Sequence, residues 1–230
     1  MFFSVIIPCY NEAENIPLLI EKCKKITAKN IEMILVNNGS TDDSFNIITR
    51  LIKNSTNIKL INVTKNIGYG HGILKGLESA RGDILGWTHA DLQTDLNDVL
   101  LGFKFFQNDK NIFVKGRRIK RALKDNVFTI GMSIFETILF QKFFWDINAQ
   151  PNLFNRSFYE KWKNPPLDFS LDLYVYYLAL KTKLKMKRFN VTFEDRLFGH
   201  SKWNINWSSK IKFIIRTLKF SVILIRNNEK

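Results

Sequence analysis

The chain has 230 residues, 45% hydrophobic and 24% charged, which is enough apolar material to bury a substantial core and too much for a disordered polymer. Thirty-five Lys and Arg against 21 Asp and Glu leave a net charge of +14, so the protein is drawn to anions: phosphorylated ligands, nucleic acid or an anionic lipid surface. Two cysteines, Cys9 and Cys23, with no paired spacing and no Cys/His cluster, exclude a disulfide framework and point to a reducing compartment.

Met1 leads into FFSVIIP, which lacks a basic flank and a small-residue cleavage site and is too short for a secretory apolar region. It reads as a buried strand of a cytoplasmic protein. Apolar, β-branched runs then alternate with helix-period segments: FSVIIP, a helix over Ile16–Ile26, EMILVN, a helix over Ser44–Ile52, IKLINV, a helix over Gly70–Ala80, DILGWT, a helix over Leu96–Phe106, and IFVKG. Strands interleaved with helices imply right-handed crossovers and an α/β fold with a mainly parallel sheet covered on both faces. Ligands of such sheets bind outside the carboxyl ends of the strands, and those ends read PCYNE, NNGSTDD, TKNIGYG, THADLQTD and KGRR.

No repeat or linker divides the chain. Residues 1–203 are read as one domain and 204–230 as a basic amphipathic helix, in which Ile211, Ile214, Ile215 and Leu218 recur among Lys210, Lys212, Arg216 and Lys219. That helix suits a membrane surface or the closing of the core. The apolar stretch Val127–Phe144 approaches the ~20 residues that span a bilayer, but Glu136, Gln141 and Lys142 interrupt it, so a spanning helix is not expected.

The strand-end groups suit a nucleotide sugar. A divalent cation takes oxygen ligands from one or two carboxylates and leaves its other positions to phosphate and water. Asp91 is the first candidate ligand, Gln93 offers an amide oxygen two residues on, and Asp95 serves as a further ligand or as the cap of the next helix. Gly68, Gly70 and Gly72 lack the spacing of a dinucleotide fingerprint and are read as permitting close backbone approach. Arg117, Arg118 and Arg121, after the fifth strand, carry guanidinium forks suited to a phosphate monoester.

SVIIPCYNEAENI, ILVNNGSTDDS, NIGYGHGILKGLESARGDILGWTHADLQ and FEDRLFGHSKW together resemble the family 2 glycosyltransferases of GT-A fold, particularly the dolichyl (polyprenyl) phosphate mannose synthases and their bacterial relatives. The resemblance runs from Ser4 to about Trp203. It implies inverting transfer of a sugar from a nucleotide diphosphate, assisted by Mg²⁺ or Mn²⁺. It places the nucleotide sugar against Pro8, Tyr10, Glu12, Asn38 and Gly68, with Asp91 and Lys202 toward the diphosphate, and the metal at Asp91, Gln93 and His89. The acceptor falls to Arg117, Arg118, Arg121, Thr129, Arg196 and Ser201. Two departures stand out. Asn37 and Asn38 replace the family's usual aspartates, leaving GDP and UDP both open, and His89 stands where an Asp-x-Asp motif begins. Its imidazole suits a metal ligand, a contact to the diphosphate, or a hydrogen bond at the sheet rim.

The acceptor is expected to be a polyprenyl phosphate met at the inner face of a membrane by a peripheral enzyme. Such a phosphate is largely ionised at neutral pH, its second pKa being about 6, and needs positioning by Arg118 and Arg196 rather than a base. A glycan hydroxyl would instead need a carboxylate, with Asp172 or Asp195 as candidates. A nucleic-acid-binding protein is the reading from a different class. No binding motif supports it, and rim carboxylates would repel a phosphate backbone.

Overall fold

The computed structural model describes all residues except 28–29, 121–122, 199–206 and 227–230; of 123–128 and 207–213 only the helical backbone is described. In chain order the elements are β1 (Phe3–Cys9), α1 (Ile16–Ile26), β2 (Ile31–Asn38), α2 (Ser44–Ile52), β3 (Ile58–Val63), α3 (Tyr69–Ser79), β4 (Ile84–Trp87), α4 (Asn97–Lys104) with a 3-10 turn at Phe105–Gln107, β5 (Ile112–Ile119), α5 (Leu123–Phe140), β6 (Asn152–Asn155), α6 (Arg156–Tyr159), α7 (Ser170–Lys181), β7 (Lys185–Thr192) and α8 (Trp207–Arg226). The α/β expectation holds. Seven strands form one sheet in the order β3-β2-β1-β4-β6-β5-β7, and only β6 runs against its neighbours.

Each face of the sheet has its own core. Val5, Ile7, Met33 and Leu35 pack with Ile16, Leu19 and Ile20 of α1, while the alternate residues Ile6, Ile34 and Val36 pack with Ile73 and Leu77 of α3 and with α7. This alternation is why the inner strands carry apolar residues at nearly every position. The chain goes from β1 to β2 and β3 on one side and returns to β4 on the other, so the direction of winding reverses between β1 and β4. A crevice opens beyond the carboxyl ends of these two strands.

Differences from the sequence reading concern the second half. The fifth strand does not stop at Gly116; it continues to Ile119, held by eight residues of parallel pairing with β7. Arg117 and Arg118 are therefore strand residues facing opposite sides, not loop residues beyond it. The apolar stretch 127–144 becomes most of α5 followed by a turn, and no described helix is long and apolar enough to cross a membrane. Glu136 of α5 is fully buried and accepts from Ser221 Oγ of α8 at 2.8 Å, which joins the two helices. Their outward sides leave Ile134, Ile138, Val222 and Ile223 exposed.

Candidate active site

The exits of β1 and β2 are stitched together before any ligand is considered. Asn11, at φ +55°, donates its backbone N–H to Ser40 Oγ at 3.1 Å; the N–H of Glu12 reaches Ser44 Oγ at 3.0 Å, and that of Ala13 reaches Asp42 Oδ2 at 3.1 Å. PCYNE and NNGSTDD thus form one rigid rim, with Pro8 near the end of β1, Tyr10 just beyond it and Glu12 over the crevice. Asn38 points to the α3 side, where its amide nitrogen donates to the Gly68 carbonyl at 2.9 Å. Gly68 has φ +147°, and a Cβ there would lie 2.2 Å from the Leu167 carbonyl oxygen, so only glycine fits this approach.

At the exit of β4 the chain kinks at Leu92, φ +58°, a left-handed conformation that costs about 1–2 kcal/mol outside glycine. The apolar side chain holds it by being buried beneath the rim. The kink lets Asp91 Oδ1 accept from the Gln93 N–H at 3.2 Å and brings both side chains to one place. There they meet Arg196. Its Nη2 lies 2.7 Å from Asp91 Oδ2, its Nε donates to Gln93 Oε1 at 3.2 Å, and its Nη1 stands 3.9 Å from Glu12 Oε1. Burial, followed by the negative charge of Asp91, raises the Glu12 pKa above the ordinary range, with an Asn15 hydrogen bond and Arg196 opposing.

His89 lies between this cluster and a second one. Its ring centroid is 5.8 Å from that of Tyr69. Burial lowers its pKa below the usual imidazole value, with Asp91 and Asp172 pulling it up and Arg118 and Arg196 pushing it down, a balance that favours the neutral form in which imidazole ligates metals. Beneath it, Asp172 in the first turn of α7 is buried, and its Oδ1 accepts from Asn152 Nδ2 at 3.0 Å, Gln150 Nε2 at 3.1 Å and Trp87 Nε1 at 3.3 Å. Desolvation raises its pKa, opposed first by Lys115 and then by His89.

The acceptor-side arginines of β5 are engaged by protein partners. Arg118 is bound to Asp146 through Nε and Nη2, its own backbone N–H donates to the same carboxylate, and its guanidinium lies 5.2 Å above the Phe193 ring. Arg117 points away from the crevice and donates to Asn190 Oδ1 at 2.8 Å across the β5–β7 pair. Thr129 lies on α5. Asp95 accepts from the Asn97 N–H at 3.1 Å, supporting the start of α4 as a cap would. Arg121, Ser201 and Lys202 lie outside the described residues. Sequence reasoning missed Lys115, fully buried in β5 with its Nζ donating to Asn152 Oδ1 at 2.7 Å and to the Ala149 carbonyl at 2.8 Å; a lone lysine in an apolar strand was the available signal.

No group of three or more His, Cys, Asp or Glu fit to hold a metal ion occurs among the described residues. Asp91 Oδ2 and Gln93 Oε1 nonetheless converge on one positive group. Two oxygen donors facing one cation position fit a hard divalent ion whose remaining ligands are phosphate and water, and do not fit an ion caged by protein alone.

The glycosyl transferase family 2 profile matches residues 4–174. The chain belongs to that family. The match spans β1 to the first turns of α7 and so includes His89, Asp91, Gln93 and Asp172. Among related proteins, this glycosyltransferase is 37% identical over 101 residues to an undecaprenyl-phosphate 4-deoxy-4-formamido-L-arabinose transferase of Photorhabdus laumondii, a match covering 42% of the chain and 31% of the relative. It is 26% identical over 226 residues to a dolichyl-phosphate beta-glucosyltransferase of Dictyostelium discoideum, covering 85% and 67% respectively. The chain thus spans about a third of the first relative and two thirds of the second. Its fold is similar to that of a mannosyltransferase from Pyrobaculum calidifontis solved with GDP-Man and Mn²⁺, TM-score 0.69 at 18% identity over 96% of this chain and 64% of that one. It is likewise similar to glucosyl-3-phosphoglycerate synthase from Mycobacterium tuberculosis solved with Mn²⁺ and UDP, TM-score 0.70 at 16% identity over 96% and 79%.

Proposed function

We propose that this enzyme transfers a sugar, with inversion, from a nucleoside-diphosphate sugar to a polyprenyl phosphate at the cytoplasmic face of a membrane. The observation that carries the reading is the convergence of Glu12, Asp91, Gln93 and Arg196 at the β1–β4 crevice, where acidic oxygens and a guanidinium meet at the place a sheet of this topology binds nucleotides. The relatives acting on undecaprenyl and dolichyl phosphate support the acceptor class.

The rim of β1, β2 and α3 would seat the nucleoside through Tyr10, Asn38 and the backbone at Gly68. Asp91 and Gln93, with His89 alongside, would hold Mg²⁺ or Mn²⁺, which supplies neutralisation of the departing diphosphate. Arg118, braced by Asp146, would orient the acceptor phosphate for a single in-line displacement, and Arg196 would face both that phosphate and the departing diphosphate. The exposed aliphatic side chains of α5 and α8, on a chain of +14, suit an anionic leaflet.

Mass analysis of products from a screen of GDP- and UDP-sugars with polyprenyl phosphate tests the proposal; a sugar phospholipid is expected, and transfer to a glycan hydroxyl alone refutes the acceptor. Stabilisation by a single-stranded oligonucleotide but not by GDP or UDP with Mn²⁺ would refute the enzyme reading altogether. The hydroxyl alternative has one observation in its favour: all hydrogen bonds that the described residues make to the Asp172 carboxylate go to Oδ1, leaving Oδ2 to accept a proton.

A further inference from the structure

We propose that Arg196 is an exchangeable counter-ion that keeps the cation position closed to free metal and gives it up only to a metal already joined to a nucleoside diphosphate. The inference rests on the donor reading above and concerns how that donor is loaded.

Three observations carry it. The guanidinium holds both oxygens assigned to the cation position, Asp91 Oδ2 at 2.7 Å and Gln93 Oε1 at 3.2 Å, and stands 3.9 Å from the neighbouring Glu12 carboxylate. The pair is largely sheltered, the Asp91 side chain being 8% exposed and that of Arg196 23%, so its attraction is screened less than a surface ion pair's. Finally, the loop bearing Arg196 is fastened to the ligand-bearing segment beyond β4, since the Glu194 N–H donates to the Gln93 carbonyl at 2.8 Å and Gln93 Nε2 donates to the Glu194 carbonyl at 3.0 Å.

The last contact fixes the Gln93 amide. With its nitrogen committed to the Glu194 carbonyl, its oxygen must face Arg196, which has donors only. The oxygens a cation needs are therefore aimed before it arrives, and the arginine that keeps them aimed also occupies their place. A free divalent ion must displace this positive group and leave it without an anion. An ion bound to a diphosphate brings phosphate oxygens that take the guanidinium bidentately, so carboxylate and arginine exchange partners and neither charge is stranded. Metal and nucleotide must then bind with strong mutual reinforcement, and by linkage the reinforcement is the same in both directions.

The experiment measures Mn²⁺ binding by electron paramagnetic resonance, alone and with saturating GDP or UDP, in the wild type, R196Q and R196K. In the wild type, nucleotide should tighten Mn²⁺ binding by at least about tenfold. In R196Q, free Mn²⁺ should bind about five- to tenfold more tightly than to the wild type, with the nucleotide effect correspondingly reduced; R196K, which keeps the charge without the fork, should fall between them. An R196Q affinity for free Mn²⁺ equal to or weaker than that of the wild type overturns the counter-ion role while leaving the donor reading intact. Failure of the wild type to bind either nucleotide with Mn²⁺ rejects both.

Discussion

Replacing Lys115 by Met should stabilise the protein in mild acid and destabilise it in mild base. Lys115 is fully buried, and desolvation brings its pKa from the usual 10.5 down to about 7, with Asp172 the largest opposing influence. At about 1.4 kcal/mol per pH unit, that depression means the charged form burdens the fold by about 5 kcal/mol near pH 6, because both folded and unfolded chains are then protonated. As pH rises the folded chain releases the proton first, and the burden falls to about 1 kcal/mol near pH 9.5. Met has similar length and no charge, but it leaves the Ala149 carbonyl and Asn152 Oδ1 without their donor, a loss of about 1–2 kcal/mol each. The variant should therefore be about 1–3 kcal/mol more stable than the wild type near pH 6 and about 1–3 kcal/mol less stable near pH 9.5. Urea unfolding followed by circular dichroism at the two pH values measures the difference, in which titrating groups remote from Lys115 cancel. A difference that does not change with pH would show that Lys115 is not desolvated as the fold requires.

Asp91→Asn should reduce Mn²⁺ binding in the presence of nucleotide by about a hundredfold or more and abolish transfer, since the neutral amide removes the ligand charge; metal titration with product analysis checks it. Glu136, pushed up to about 7 by burial, contributes stability that is complete below its unfolded pKa and lost as pH rises through 7, so Glu136→Gln should leave melting unchanged near pH 4.5 and add up to about 3 kcal/mol near pH 8. Ile138→Glu, at a position 72% exposed on α5, should leave the melting temperature within a few degrees while weakening sedimentation with anionic vesicles, and added salt should weaken wild-type binding as well. Asp172→Asn separates the acceptor classes: turnover lost by about a hundredfold or more with donor affinity intact would favour a hydroxyl acceptor, whereas retained turnover with polyprenyl phosphate would favour the lipid.

The first hundred residues were legible because each element there is decided locally. Apolar periodicity sets α1 and α2 at Ile16–Ile26 and Ser44–Ile52, the bounds observed, and the rim residues follow from where the strands stop. Local pattern failed where pairing is distant. Arg117 and Arg118 look like loop after Gly116, yet β7, some seventy residues later, supplies the ladder that keeps them in β5. The engagement of Arg118 with Asp146 and of Arg196 with Asp91, 105 residues apart, leaves no trace in spacing, because either arginine alone reads as a free phosphate-binding fork. Lys115 was equally hidden: its partners, the Ala149 carbonyl and Asn152, are assembled only when β6 enters the sheet.

That entry of β6 against the direction of its neighbours divides the authorship of the crevice. Glu12, Asn38, His89 and Asp91 stand where strands leave the sheet, all within one unbroken run of α/β units, whereas Asp146, Gln150 and Asn152 arrive where a strand begins. The stretch between β5 and β6 can therefore lengthen, shorten or change character at its outer end without shifting the register of β1 or β4. A scaffold organised in this way can retain one apparatus for activating a sugar while the molecule that receives it is exchanged.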